Sequence, residues 1–303
     1  MKTMYGIIAA MTTPFLEDGE VDVKALEEGT EFLIRSGVDC LYPCGTTGEM
    51  LFMTCEQREL VAETVLRKAA GRVVVFIHTG AERLEDTLRL SRHASQAGAD
   101  GIGVVTPSFF GLTQEELEEF YITVSKAVPS DFPVYLYNIP QCSGNDIQVE
   151  TCRRIAEACP NVVGIKYSFA DVHRALEYLQ IRDGNFSVLV GFDRLLLPAL
   201  TMGCGGTVSG AATVFPEPLV EGLKAYKEGN IEAARVWMKE ADGMIRALKA
   251  GTRMSIFKAA QQMRGLMGGH VHKPLMDLTE KEREELAEVL APYLERYPLH
   301  RPE

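Results

Sequence analysis

Eight times in succession a short apolar run is followed by a longer segment with helical spacing, and this recurrence constrains the chain more than any other feature. The apolar runs cover 5–11, 38–43, 73–78, 101–106, 133–137, 162–166, 186–190 and 206–209. Helical spacing covers 23–35, 56–70, 83–97, 114–128, 148–158, 171–181, 193–202 and 217–227. The runs are continuously apolar rather than alternating, as expected of parallel strands covered on both faces. Eight strand–helix units in a row predict a (β/α)8 TIM barrel. A doubly wound sheet fits less well: no Gly-x-Gly-x-x-Gly follows the first run. Beyond residue 230 the pattern is helical only, over about 231–250, 252–268 and 279–294, with Thr279 as an N-cap. The expected organisation is a barrel over 1–230 and a C-terminal three-helix appendage over 231–303.

The length of 303 residues accommodates one such barrel, and 46% apolar against 24% charged residues gives it ample core. A formal net charge of −11 argues against nucleic acid and anionic membrane as partners. No stretch approaches the ~20 apolar residues of a membrane span. Seven cysteines are scattered at no zinc-site spacing. Free thiols in a reducing, cytoplasmic setting are the expectation.

Barrels of this kind collect their chemistry at the C-terminal ends of the strands. The sixth run, Val162-Val163-Gly164-Ile165-Lys166, ends in a lysine. Burial disfavours an ammonium, and the neutral amine is the form that attacks a carbonyl to make a Schiff base. The plainer alternative is a lysine whose stem is covered and whose head reaches water. Tyr137 ends the fifth run and could carry protons beside such a lysine, or simply anchor a strand by its hydroxyl. Gly45-Thr46-Thr47-Gly48-Glu49 follows the second run; its glycines and hydroxyls suit a carboxylate. Glu49 is read as a support for that loop. Gly191-Phe192-Asp193 follows the seventh run and Ser209-Gly210 the eighth. Asp193 is either a substrate contact or the cap of the next helix. His78 has no partners at metal-ligand spacing, which disfavours a metal-dependent aldolase. Phe109 and Phe110 are read as lining the pocket mouth or a subunit contact.

In this order and spacing, Gly45-Thr46-Thr47-Gly48-Glu49, Tyr137-Asn138-Ile139-Pro140, Gly164-Ile165-Lys166 and Gly191-Phe192-Asp193 resemble the dihydrodipicolinate synthase / N-acetylneuraminate lyase family over nearly the whole chain. The resemblance implies a class I aldolase that binds pyruvate or another 2-oxo acid covalently and meets an aldehyde, with no cofactor or metal. It assigns the Schiff-base lysine to Lys166, proton transfer to Tyr137 with Thr46, and carboxylate binding to Thr46 and Thr47; Gly48, Gly191, Asp193 and Ser209 are expected to bind substrate from their places at the strand ends. It also implies a homo-oligomer, a tetramer in many members.

The departures bear on the acceptor. Cys142 stands where the synthase has an arginine for the aspartate semialdehyde carboxylate, and a thiol cannot replace that contact. Phe109 stands where the synthase has a relay tyrosine. Residues 137–144 look more like the sialic acid lyase, but Arg194 replaces a glutamate of that branch. Residues 206–212 look closer to the 2-keto-3-deoxy sugar acid aldolases. The leading expectation is therefore a 2-oxo-3-deoxy sugar acid, made from or cleaved to pyruvate and a polyhydroxylated aldehyde. The synthase reaction, a dehydration, N-acetylneuraminate cleavage and a non-catalytic 2-oxo acid-binding barrel stay open beside it.

Overall fold

The structure is a computed structural model and describes residues 1–251 and 253–299. Eight parallel strands close on themselves in chain order. They are β1 (Gly6–Ala10), β2 (Cys40–Tyr42), β3 (Val74–His78), β4 (Gly101–Val105), β5 (Val134–Asn138), β6 (Val162–Tyr167), β7 (Ser187–Val190) and β8 (Gly206–Ser209). The barrel closes where β1 pairs with β8 as well as with β2. Around it run α1 (Val23–Arg35), α2 (Cys55–Ala69), α3 (Leu84–Gln96), α4 (Gln114–Lys126), α5 (Pro140–Ser143), α6 (Val149–Ala158), α7 (Val172–Leu179), α8 (Leu196–Met202) and α9 (Glu217–Lys227). The (β/α)8 expectation is met.

Side chains alternate across each strand. Ile7, Ala9, Leu41, Val75, Ile77 and Val104 point outward and join the layer beneath the helices. Ile8, Tyr42, Phe76, Tyr135, Leu189 and Val208 fill the barrel interior. Rings this large fit because β4 contributes glycine opposite them. A Cβ at Gly103 would lie 2.0 Å from the Tyr42 hydroxyl.

The tail folds as α10 (Ile231–Ala247), α11 (Met254–Met263) and α12 (Glu280–Arg296). Thr279 caps α12 in a reciprocal box with Glu282. Met244, Ile245, Leu248, Phe257 and Leu286 share one apolar core with the barrel's outer layer. The segment expected over 231–250 breaks after Ala247 into a 3-10 turn at Lys249–Gly251. Position 252, the first of the expected 252–268 helix, and positions 300–303 of the expected tail lie outside the described residues. The expected 193–202 helix is likewise split: Asp193–Leu195 is a 3-10 turn that leads into α8.

Candidate active site

Tyr137 and Lys166 are register partners on neighbouring strands, each one residue before its strand's end. Both side chains therefore point into the barrel at the same height. Lys166 is 5% exposed and Tyr137 2%. The lysine Nζ lies 3.8 Å from the centre of the Tyr137 ring and 5.3 Å from that of Tyr42. The Tyr137 hydroxyl lies 3.3 Å from Thr46 Oγ1, with either able to donate. An amine, a phenol and a threonine hydroxyl thus converge from β6, β5 and the loop after β2.

A rigid polar layer backs this group. The His78 ring stands edge-on to both Tyr42 and Tyr137, at 5.9 Å between centroids in each case. The Val105 N–H donates to its Nε2 at 3.3 Å, so Nδ1 carries the hydrogen and donates to the Cys44 carbonyl at 2.9 Å. Burial, with the Arg58 and Lys166 cations adding to it, holds His78 well below the usual histidine range. It is a neutral ring that fixes Tyr137 in place. Arg58 is itself buried and clamps the end of β3, donating to the carbonyls of His78 at 2.8 Å and Gly80 at 2.9 Å. Burial also pushes the Tyr42 phenol well above its ordinary value.

Asp193 does not cap a helix. Its carboxylate turns into the barrel, accepting from Thr207 Oγ1 at 3.0 Å and from Ser209 Oγ at 2.7 Å. Desolvation raises its pKa, with the two hydroxyls and Lys166 opposing the rise. Gly191 allows β7 to lie against Ser168 at the end of β6: a Cβ there would fall 1.9 Å from Ser168 Oγ.

These groups open into one cavity of about 330 Å³. Of the eight residues expected to act in catalysis or substrate binding, Thr46, Thr47, Tyr137, Lys166, Gly191 and Asp193 line it. Two do not. Ser209 is fully buried behind Asp193. Gly48 packs beneath its loop, where a Cβ would meet Thr13 Oγ1 at 3.1 Å and the Met11 carbonyl at 3.2 Å. Phe109 and Phe110 are also away from the cavity wall, 90% and 73% exposed and packed edge-to-face on each other. Phe109 sits at φ +72°.

Comparison with known proteins gives the chain a family. The Dihydrodipicolinate synthetase family matches residues 3–292. The chain belongs to this family. Members are class I, pyruvate-dependent carbon–carbon lyases, and the chain is an enzyme of that kind. It is similar to the 4-hydroxy-tetrahydrodipicolinate synthases of Syntrophus aciditrophicus (36% identical over 288 residues, 95% of this chain and 98% of that protein) and Aquifex aeolicus (36%, 95% and 97%). Among solved structures, the dihydrodipicolinate synthase of Aquifex aeolicus superposes with a TM-score of 0.91 at 35% identity, covering 98% of this chain and 100% of that one. A prophage protein of the same family from E. coli K12, solved in complex with pyruvate, gives 0.90 at 29% identity, covering 96% and 99%.

Against that family background, several wall residues had no signal in the sequence. Ile245, Leu248, Met254 and Phe257 come from the tail and close one side of the cavity. Helical periodicity marks such residues as buried without saying against what. Gln141, Cys142 and Ser168 complete the polar side, and Gln141 is held by its bond to the Ser168 carbonyl at 2.6 Å. Arg194 lies on the rim and pairs with Asp242 of α10.

Proposed function

We propose that the chain catalyses reversible aldol cleavage of a 2-oxo-3-deoxy sugar acid to pyruvate and an aldehyde through a Schiff base on Lys166. The observation that carries this reading is the contact of the Lys166 amine with the Tyr137 ring, whose hydroxyl meets Thr46, inside one cavity. The amine attacks the 2-oxo carbon and water leaves to form the iminium. The bond between C3 and C4 then breaks. Its electron pair flows to the iminium nitrogen, and Tyr137, left as a phenolate after giving its proton to the hydroxyl that departed as water, takes the proton from the C4 hydroxyl. Protonation of the enamine carbon and hydrolysis release pyruvate and restore the amine. Thr46 relays protons to Tyr137, and the 45–48 loop holds the substrate carboxylate.

Polar groups in the cavity wall, Asp193, Gln141 and Ser168, favour hydroxyls on the acceptor. Cys142 offers no cation for a second carboxylate. The synthase reaction is the second reading, favoured by the names of the relatives at 36% identity. Product analysis with pyruvate and a panel of aldehydes separates the two. The proposal expects adducts with glyceraldehyde-like acceptors. Turnover with aspartate semialdehyde alone would replace it with the synthase reading.

We place the enzyme in the cytoplasm, where its seven free cysteines stay reduced. The exposed Phe109–Phe110 pair favours a homo-oligomer, a tetramer by analogy with the family.

A further inference from the structure

Beneath the loop that follows β2 lies an ion pair that the reaction above does not use. Glu49 sits at φ +61°, a conformation costly for a residue with a side chain. Its Oε1 lies 2.5 Å from Lys258 Nζ of α11, and its Oε2 accepts from the His272 N–H at 2.8 Å. The two side chains are 1% and 2% exposed. Lys258 also donates to the His270 carbonyl at 2.5 Å and stands 4.5 Å from the centre of the Phe15 ring. Phe15 and His270 in turn exchange both backbone hydrogen bonds, at 2.8 and 3.3 Å. Loops after β1 and β2 and the tail therefore meet at one buried pair.

Cohesion alone does not call for charges here. Desolvating each ion costs several kcal/mol, and an apolar pair of similar volume would hold the segments together as well. What the pair adds is a defined position. Glu49 is bonded back into the loop, its N–H donating to the Thr46 carbonyl at 3.1 Å. The next turn is closed by the N–H groups of Gly48 and Met50 on the Gly45 carbonyl, at 3.0 and 3.3 Å. Fixing Glu49 thus fixes the peptides that present Thr46 and Thr47 to the cavity. On the other side, Phe257, the residue before Lys258, forms part of the cavity wall.

We infer that Glu49 and Lys258 are positioning residues: the pair locks the 45–48 loop, from below, in the shape that receives the 2-oxo acid carboxylate, and ties that shape to the docking of α11. This rests on the proposed Schiff-base reading of the same cavity.

Lys258→Met alone strands a buried carboxylate and destabilises the fold by itself, so the test uses the double variant Glu49→Gln/Lys258→Met. It is neutral, of similar volume, and keeps an acceptor for the His272 N–H. In the full chain, the pyruvate concentration giving half-maximal borohydride labelling of Lys166 is measured by mass spectrometry, beside a thermal midpoint. The expected result is complete labelling at saturating pyruvate, with the half-saturation point raised roughly tenfold or more, the scale of one lost binding contact. A folded double variant within about twofold of wild type, or one that never labels, overturns the inference. So does failure of the double variant to fold, which would make the pair a folding element. If the wild-type protein itself forms no adduct with any 2-oxo acid, it is the proposed function that falls, and the inference with it.

Discussion

At the scale of single residues, the site is a lysine held against the aromatic faces of Tyr137 and Tyr42, with a buried neutral histidine behind them. His78 shows how. Its ring is neutral in the folded protein because burial and two nearby cations oppose a third charge. The folded pKa lies well below 6.5 while the unfolded chain titrates near that value, so below about pH 6.5 the unfolded state binds the extra proton. Stability is therefore lost as pH falls through 6.5, by up to about 1.4 kcal/mol per unit from this group. Urea unfolding at pH 7 and pH 5 checks it: His78→Gln should show the shallower fall, and an equal fall in both proteins would exclude His78 as a contributor. The sequence marked His78 only as a strand-end histidine without metal partners. Its bonds to the Cys44 carbonyl and the Val105 N–H come from two other strands' ends, which no local pattern displays.

At the scale of elements, the strand–helix alternation and the strand-end positions of the polar residues were legible because continuous apolar runs and strand-end polar residues obey simple rules. Junctions were less so. Asp193 was as consistent with a cap as with a cavity contact, since Asp serves both; the 3-10 turn ahead of α8 decides the matter by leaving its carboxylate free to meet Ser209 and Thr207. The neighbouring Gly191 is the point at which β7 is pressed against the end of β6. Gly191→Ala places a methyl group 1.9 Å from Ser168 Oγ and 3.0 Å from Ser168 Cα, so the backbone as well as the hydroxyl must move. The expected cost is about 1–3 kcal/mol, read from denaturant unfolding. Wild-type stability would mean that this contact yields freely. By contrast, Arg194 and Asp242 form an exposed pair at the rim, worth no more than about 1 kcal/mol to stability.

For the whole molecule, the barrel brings Lys166, Tyr137 and Thr46 together, and the tail supplies a wall of the cavity and, through Lys258, an ion pair with Glu49 at the end of the loop after β2. The alternation of eight strand–helix units announced the barrel. Docking of the tail over the strands' C-terminal ends depends on long-range contacts such as Phe257 against Gly210, which helical periodicity alone does not specify. The central claim is that Lys166 carries the substrate. It is tested most directly by borohydride reduction in the presence of pyruvate, followed by peptide mass mapping of the wild-type protein and Lys166→Met. A reduced three-carbon adduct on the peptide containing Lys166, absent from the variant, is the predicted result. An adduct on a different lysine, or none with pyruvate or any other 2-oxo acid in folded protein, would contradict it.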